Sequence, residues 1–343
     1  MSSKINETNE RMKRKYAVWR READGADEKT VDKDLQAIQR FERSIGMRSF
    51  KLFRVDQAVE FKRKLEAERN PRTKRPLAKA TIDGILRGVK TFFRWLADQP
   101  GYRSRVKHSD VAYFTINAKD ARVAHARREM PQPTLEQCRH AFDLMPEVTD
   151  IDRRDKAVFA LLMLTAARIG ALSSLRLKHV DVPDGCVYQD AREVKTKAAK
   201  TFMTWFFPVD DIYADTFRHW VDYLVREKLF GPQDALFPKP IMGVVDGALT
   251  VTGLSRDIYT GTTQLRGVIG DAFANAGLPR FHPHGFRSML TAFGSNICRT
   301  PEEFKAWSQN LGHDSVLTTV SSYLNVSSAR QRELIKAIAK PKA

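Results

Sequence analysis

Apolar residues in the first third of the chain recur every three or four positions, the spacing that places side chains on one face of an α-helix. One such series begins at Thr30 and ends at Gly46. A shorter series covers residues 56–68, and a longer one covers residues 79–96 before the turn signal Pro100-Gly101. The longest series has the broadest apolar stripe, which consists of Ile82, Ile85, Leu86, Val89, Phe92, Phe93 and Leu96. The pattern predicts a succession of helices, with this stripe in a core.

The pattern changes after Pro131 and Pro133. Thr134 and Gln137 have the spacing of a capping box and predict a helix start. A nearly continuous apolar run at 158–164 predicts a buried helix, and a tract rich in Val, Phe, Thr and Trp between 186 and 209 favours strands. Further helices are predicted at 212–228, 262–276 and 330–339. Residues 239–258 contain several glycines and no chemical motif, so no function is assigned to them.

Composition adds a strong positive charge. The 343 residues include 58 Lys and Arg against 41 Asp and Glu, a formal net charge of +17. This excess predicts attraction to DNA or RNA, although charge alone leaves a ribosome-associated or merely basic protein open. No apolar run approaches membrane-spanning length, and the polar start is unlike a secretory signal. The three cysteines form neither a metal pattern nor an evident disulfide framework, so a reducing cytoplasm is the expected location.

The candidate chemistry is concentrated in residues 281–323. His284 and Arg287 have an H-x-x-R spacing, His313 follows a Leu-Gly pair, and Tyr323 stands ten positions later. On a helix, His284 and Arg287 would share one face. The set has no Asp or Glu, so it does not assemble a site for a hard divalent metal. Its donors suit a phosphodiester, which the Tyr323 phenol can attack as a covalent nucleophile.

These residues resemble the signature of the tyrosine recombinases, also called phage integrases. The signature is H-x-x-R, then L-G-H, then a nucleophilic tyrosine, and it matches HGFR, LGH and Tyr323 here. An upstream block, TAARIGALSSLRLKHVDV, is similar to the family's first signature block, whose arginine matches Arg168. Two departures are visible. Tyr323 lies ten positions after His313 instead of the common nine, and Ala171 stands where the family often has an acidic residue.

The resemblance implies that the chain cleaves DNA through a 3′-phosphotyrosyl link, without a metal or other cofactor. Arg168, Arg287 and His313 would stabilise the charge on the phosphate, Tyr323 would attack it, and His284 would accept or orient a proton.

A lysine from the family's small β-sheet would protonate the departing 5′-oxygen. Lys195, Lys197 and Lys200 are the candidates. Lys197 is favoured, because the family's lysine is commonly followed by a second basic residue three positions later. A solvated basic loop that only binds the DNA backbone is the alternative.

The resemblance also implies a fold class and a domain order. The fold class is mainly α (α+β), with an N-terminal helical core-binding domain and a mixed helical catalytic domain that contains a small antiparallel β-sheet. The expected segments are a basic N-terminal extension at 1–27, the DNA-clamping core-binding domain at 28–116, a linker at 117–132, the catalytic domain at 133–326 and a C-terminal tail helix at 327–343.

Basic residues outside the catalytic set are the expected DNA contacts. They lie on the exposed side of the predicted 79–96 helix, in the linker and near the favoured lysine: Lys79, Arg87, Lys90, Arg94, Arg122, Arg127, Arg128, Lys195 and Lys200. For the helix and the linker, contact with water alone is the alternative explanation.

The expected partner is double-stranded DNA at a specific recombination site with inverted repeats. By resemblance, a dimer would occupy one site and a tetramer would exchange strands through a Holliday junction, with accessory DNA-bending proteins left open. The expected setting is bacterial, phage or mobile-element encoded, at the nucleoid and not at a membrane. Two alternatives stay open: a type IB topoisomerase-like or telomere-resolving strand transferase, and a catalytically silent DNA-binding regulator on the same scaffold.

Overall fold

The computed structural model describes residues 5–126 and 131–313. The chain divides into two compact units, residues 1–129 and 130–343. The described residues form a mainly helical fold with small antiparallel sheets, so the predicted fold class is confirmed. None of the helices in these two stretches is long and apolar enough to cross a membrane.

The first unit is helical. Its helices are α1 (Glu7–Glu22), α2 (Glu28–Ser44), α3 (Val55–Ala67), α4 (Lys79–Ala97), α5 (His108–Val111) and α6 (Ala118–His125). Most of the stripe predicted on α4 lies in the core, where six side chains are at most 2% exposed: Ile82, Leu86, Val89, Phe92, Phe93 and Leu96. Gly88 allows α4 to approach α2, because an added Cβ would lie 3.2 Å from the Cβ of Ala37.

The N-terminal segment differs from the sequence-based expectation of an extension at 1–27. Helix α1 packs into the first unit, where Tyr16 is fully buried. The Tyr16 hydroxyl donates to Asp34 (2.9 Å), and the Lys13 ammonium pairs with Glu42 (2.7 Å). These carboxylates are distant in the sequence. The local sequence of α1 therefore does not indicate that part of its charged face is buried.

The expected linker at 117–132 also begins with regular structure. Helix α6 starts with the side chain of Asn117, which accepts a hydrogen bond from the backbone N–H of Asp120 (2.7 Å). Ala121 and Ala124 pack against the core of the first unit. The part of this segment up to His125 is therefore a helix of the first unit.

The second unit surrounds a buried helix. Its helices are α7 (Leu135–Asp143), α8 (Asp150–Thr165), α9 (Ile169–Leu172), α10 (Asp211–Asp222), α11 (Thr263–Asn275), α12 (His284–Ile297) and α13 (Pro301–Asn310), and a π-helical turn, Tyr223–Glu227, extends α10. The Phe159 ring of α8 lies 5.1–5.8 Å from the rings of Phe142, Phe273 and Phe286, which belong to α7, α11 and α12. These contacts hold the start of α12 near the end of α8.

Two antiparallel sheets complete the described part of this unit. The first contains β1 (Val180–Asp181), β2 (Cys186–Gln189) and β3 (Phe202–Trp205), in that order. Residues 190–201 form the loop between β2 and β3. The second is a hairpin of β4 (Pro240–Val245) and β5 (Ala248–Leu254). Its turn residues, Asp246 and Gly247, both have positive φ (51° and 79°), as a two-residue type I′ turn requires.

Candidate active site

The H-x-x-R residues occupy the first turn of α12. His284 is the first helical residue and is exposed, whereas Arg287 is only 3% exposed. A three-residue step brings side chains to the same side of a helix. The exposed imidazole and the buried guanidinium therefore belong to the same edge of the second unit.

Arg287 joins three parts of the second unit. Its Nη1 donates to the carbonyl oxygen of Ala166 at the end of α8 (2.7 Å). Its Nη2 donates to the carbonyl oxygen of Leu311 (2.6 Å) and to Nε2 of His313 (3.1 Å). The three signature motifs thus meet at a single side chain, although the first of them lies more than 100 residues before the other two.

The turn after α13 places His313. Gly312 has a φ of 72°, and a Cβ added there would lie 2.6 Å from the Phe202 ring of β3. Glycine therefore lets the turn lie directly against β3. His313 follows at 7% exposure, and its backbone N–H bonds the Ser308 carbonyl oxygen (3.2 Å).

The surroundings of His313 favour the neutral imidazole. Burial, followed by the charges of Arg287, Arg168, Lys200 and Lys197, lowers its pKa to about 4. Arginine has only donors, so Nε2 of His313 acts as the acceptor in its bond with Arg287. The ring therefore stays uncharged at neutral pH.

His284 is shifted in the same direction. Loss of hydration is the largest cause of its lowered pKa, followed by the charges of Arg287, His282, Arg168 and Lys197. Although the residue is exposed, adjacent protein removes part of the water around it. A neutral His284 can accept a proton.

Arg168 is placed by a break after α8. Ala166 has a left-handed conformation, with φ 49° and ψ 26°, and ends the helix. Arg168 follows at the start of α9 and is half-buried. Its charge lowers the pKa of both His284 and His313, so the structure brings it within electrostatic range of the other two motifs.

The three candidate lysines lie in the 190–201 loop but have different surroundings. The Lys195 ammonium donates to the carbonyl oxygens of Tyr259 (3.2 Å) and Thr260 (3.0 Å). Lys197 is exposed, and its charge acts on both site histidines, whereas that of Lys200 acts on His313. The loop is thus held by Lys195 and presents Lys197 and Lys200 toward the site.

The candidate DNA contacts on α4 are not equivalent. Lys79 pairs with Asp120 (2.8 Å) and Glu66 (3.5 Å), and Arg87 pairs with Asp83. Arg94 is exposed. Lys90 is half-buried, and burial followed by the charge of Arg94 lowers its pKa. Arg122 of α6 is exposed as well.

A basic turn between α3 and α4 is a further candidate DNA contact that is absent from the sequence-based predictions. Here the basic turn means residues 69–75, which contain four exposed cations: Arg69, Arg72, Lys74 and Arg75. The Asn70 side chain accepts from the backbone N–H groups of Arg72 (2.9 Å) and Thr73 (3.1 Å) and fixes the turn. The sequence signal for this turn is four cations within seven residues around an Asn-Pro pair.

Several sequence-based predictions lie outside the described residues. They concern Tyr323, Arg127, Arg128 and the tail helix at 327–343. Within the described ranges, no group of three His, Cys, Asp or Glu side chains is arranged to hold a metal ion.

Comparison with known proteins identifies the family. A sequence model of the phage integrase family matches residues 134–330, more than half of the chain. The chain belongs to the phage integrase family. The family prediction made from HGFR, LGH and the Arg168 block is therefore confirmed.

Relatives within this family are distant. Tyrosine recombinase XerC of Yersinia pestis is 25% identical over 174 residues, which are 48% of this chain and 46% of that protein. Thus the chain aligns with about half the length of this relative. Tyrosine recombinase XerC of Escherichia coli O127:H6 (strain E2348/69 / EPEC) is 23% identical over 301 residues, or 84% of this chain and 81% of that protein.

The fold is also similar to that of solved integrases. A lambda integrase dimer bound to a COC′ core site aligns with 92% of this chain and 95% of its own, with a TM-score of 0.60 and 14% identity. At this identity the likeness concerns the fold.

Proposed function

We propose that this phage integrase family member is a site-specific DNA recombinase that breaks and rejoins strands through a 3′-phosphotyrosyl intermediate. The junction at Arg287 carries the proposal. Its bonds to Ala166, Leu311 and His313 gather the family's separated motifs at one place. Arg168, Arg287 and Lys197 lie within electrostatic range of both neutral imidazoles. Such a group of cations and neutral rings suits a phosphodiester.

Charge stabilisation is the first task of such a site, because negative charge builds on the nonbridging phosphate oxygens. We assign this task to Arg168 and Arg287, because charge-assisted hydrogen bonds from guanidinium groups to phosphate oxygens are strong. His313 contributes as a neutral donor. With Nε2 accepting from Arg287, its proton resides on Nδ1, and the ring adds a hydrogen bond without adding a charge.

The covalent step forms one bond to phosphorus, breaks another and transfers two protons. The Tyr323 oxygen attacks phosphorus, its proton passes to His284, and the bond from phosphorus to the 5′-oxygen breaks. Lys197 gives a proton to the departing oxygen. The products are a 3′-phosphotyrosyl link and a free 5′-hydroxyl. Attack by another 5′-hydroxyl reverses the step and joins strands without nucleotide hydrolysis.

Lys197 is the preferred acid because its charge acts on both histidines. Lys195 is less suited, since its ammonium is directed to two backbone carbonyls in the 255–262 segment. We assign Lys195 to holding the loop. Lys200, which acts on His313, remains the second candidate for the acid.

DNA binding is proposed to involve both units. In the first unit we assign backbone contacts to Lys90, Arg94, Arg122 and the basic turn. The ion pairs of Lys79 and Arg87 make these two weaker candidates.

Tyr323 is predicted to become covalently attached to DNA. A nicked duplex carrying a site selected from a random-sequence pool should trap an adduct that survives denaturation, because the short 5′ fragment diffuses away. Tyr323→Phe should abolish the adduct and retain binding. Tyr188→Phe, which changes an exposed tyrosine of β2, should retain both. An adduct that maps to another tyrosine would contradict the assignment and the ten-residue spacing.

The assembled state is proposed to be a dimer on one site and a tetramer in strand exchange through a Holliday junction, at the bacterial nucleoid. The tail at 327–343 is proposed to dock on a neighbouring protomer.

Incubation with supercoiled plasmid distinguishes the alternative functions. Relaxation alone would indicate a topoisomerase-like enzyme, hairpin products a telomere-resolving one, and no change a silent regulator.

A further inference from the structure

The last turn of α13 is attached to the edge of the first sheet. Among the strands of the described residues, β3 lies at the end of the order β1-β2-β3 and pairs with β2. Asn310, the last residue of α13, lies beside the other edge of β3. Its Oδ1 accepts from the backbone N–H of Trp205 (2.7 Å), and its Nδ2 donates to the carbonyl oxygen of Trp205 (2.8 Å). A single amide side chain therefore makes both hydrogen bonds that a neighbouring antiparallel strand makes at such a residue.

A second contact holds the backbone of the same turn. The buried Thr204 hydroxyl donates to the carbonyl oxygen of Asn310 (3.3 Å) and accepts from Nε2 of Gln189 on β2 (2.9 Å). The last carbonyl groups of a helix have no partner within the helix, and this bond satisfies one of them. The end of α13 is thus attached to β3 through a side chain and through the main chain.

These bonds lie three residues before His313. The N–H of Gly312 bonds the carbonyl oxygen of Gln309 (2.7 Å), and the N–H of His313 bonds that of Ser308 (3.2 Å). The turn therefore folds back on the end of α13, and a displacement of that end moves the imidazole with it. Because the bond from Arg287 to Nε2 of His313 is already 3.1 Å long, a shift of about 1 Å takes it out of hydrogen-bond range.

The rest of α13 is held by contacts that do not involve Asn310. The Trp307 ring nitrogen donates to the carbonyl oxygen of Leu290 on α12 (3.1 Å), and the ring centre lies 4.4 Å from that of Phe207. Trp307 is only 8% exposed. Replacing Asn310 should therefore leave the helix packed and disturb the turn that follows it.

We propose that Asn310 is a positioning residue for His313, which it holds in place by pairing with the backbone of Trp205 at the edge of β3. The inference deepens the proposed function and rests on it, because His313 is taken to donate a hydrogen bond to the phosphate.

The first test measures cleavage by the full chain. Adduct formation is followed in a single turnover on the nicked duplex that traps Tyr323, with protein in excess so that binding does not limit the rate. Asn310→Ala is expected to lower the rate by up to about 100-fold, the cost of a displacement of about 1 Å in an active site. In a His313→Ala background, which lacks the ring to be positioned, the same substitution should change the rate by no more than about twofold.

Gln309→Ala is the matched control for Asn310→Ala. Gln309 is the preceding residue of α13 and is exposed, whereas Asn310 is half-buried. Gln309→Ala should keep the wild-type rate. Asn310→Asp keeps an acceptor for the Trp205 N–H but cannot donate to the Trp205 carbonyl, so its rate should lie between those of wild type and Asn310→Ala.

The second test uses the free protein and needs no DNA. Burial and nearby positive charge lower the pKa of His313 to about 4. The cations within electrostatic range of its ring are Arg287, Arg168, Lys200 and Lys197. A displaced ring takes up water, so its pKa should return toward the ordinary value of 6.5.

Urea denaturation at several pH values detects this change. The loss of stability that His313 causes as the pH falls toward 4 is obtained by comparison with His313→Gln. This loss should be smaller in Asn310→Ala than in wild type, and Gln309→Ala should retain it in full. A general loss of packing would lower the urea midpoint at every pH and leave the dependence on pH unchanged.

Three outcomes would overturn the proposal: an unchanged cleavage rate in Asn310→Ala, the same loss in Gln309→Ala, or equal losses from Asn310→Ala in the wild-type and His313→Ala backgrounds. Equal losses would mean that Asn310 acts through the stability of the whole unit. Failure of the proposed function is separate, because wild-type protein would then form no Tyr323 adduct. The dependence of stability on pH would still show whether Asn310 holds His313 in place.

Discussion

At the scale of single residues, the guanidinium of Arg287 connects the end of α8, the start of α12 and the turn after α13. Its acceptors are two backbone carbonyls and a ring nitrogen. The sequence identified Arg287 and His313, since both stand in a recognisable spacing. It could not identify the carbonyls of Ala166 and Leu311, because every residue has one and only the fold decides which of them converge.

Arg287→Ala is predicted to lower the free energy of unfolding as well as to abolish cleavage. Each buried acceptor left without its donor costs about 1–3 kcal/mol, and the substitution affects the carbonyls of both Ala166 and Leu311. Urea denaturation measures the loss. Arg287→Lys keeps the charge but lacks the planar fork, so an intermediate loss is expected.

The control for Arg287 is an exposed arginine of the same unit. Arg218 pairs with Asp215 on the surface of α10 (2.6 Å), and Arg218→Ala should cost no more than about 1 kcal/mol. Equal losses for the two alanine variants would contradict a structural role for the buried junction.

His313 is predicted to make stability depend on pH. Its pKa is about 4 in the folded protein, below the ordinary value of 6.5. Between these values the unfolded chain binds a proton at this residue that the folded chain does not bind. The contribution of His313 is therefore complete above about pH 6.5 and is lost as the pH falls toward 4. Urea denaturation across this range should show a weaker dependence for His313→Gln than for wild type.

Lys197 is predicted to be the general acid, and a change in the leaving group tests this. An alkoxide leaves poorly without a proton, whereas a thiol has a pKa of roughly 8.5 and needs little help. Sulfur in place of the bridging 5′-oxygen should restore cleavage to Lys197→Ala. It should not restore Arg168→Ala, which loses charge stabilisation.

Lys195→Ala and Lys200→Ala are the controls for Lys197. Lys195→Ala frees the loop from the carbonyls of Tyr259 and Thr260, so its defect should persist with the sulfur substrate. Rescue of Lys200→Ala instead of Lys197→Ala would move the acid by three residues along the loop. Rescue of neither would place the acid outside this loop.

At the scale of elements, prediction succeeded where one apolar face repeats with a regular period. Residues 79–96 were predicted as a helix, and α4 spans Lys79–Ala97. Helix α1 was treated as an extension because its buried face includes Lys13, whose partner Glu42 lies on another helix. A charged residue that is buried because it pairs with a residue distant in the sequence cannot be recognised from the local pattern of apolar positions.

The β4–β5 hairpin was missed for a different reason. Asp246-Gly247 between apolar residues is a strong hairpin signal, but no strand is predicted above for residues 239–258, which contain several glycines and no chemical motif. The exposure of the apolar side chains of this hairpin could not be predicted at all. Alternation of Met242 and Val244 shows that they share a side, and only the surrounding fold shows that both side chains are exposed.

At the scale of the whole molecule, the arrangement of the charges matters more than their sum. Many arginines of the first unit are paired with carboxylates, among them Arg21 with Glu28 and Arg54 with Asp56. None of the four cations of the basic turn is within ion-pair distance of a carboxylate in residues 5–126 or 131–313. The net charge of +17 predicted a polyanion partner, but it could not show which cations stay unneutralised.

The basic turn is predicted to account for a measurable part of the salt dependence of DNA binding. Each phosphate contact contributes about 0.9 to the slope of log K against log salt concentration. Arg72→Ala/Lys74→Ala/Arg75→Ala should therefore reduce the slope by about 2–3 on a non-specific duplex, measured by fluorescence anisotropy at several salt concentrations. Arg21→Ala/Arg40→Ala/Arg54→Ala removes three paired arginines and lowers the net charge equally, from +17 to +14. If net charge alone governed binding, both variants would lose the same slope, and that result would remove the basic turn from the DNA-binding surface.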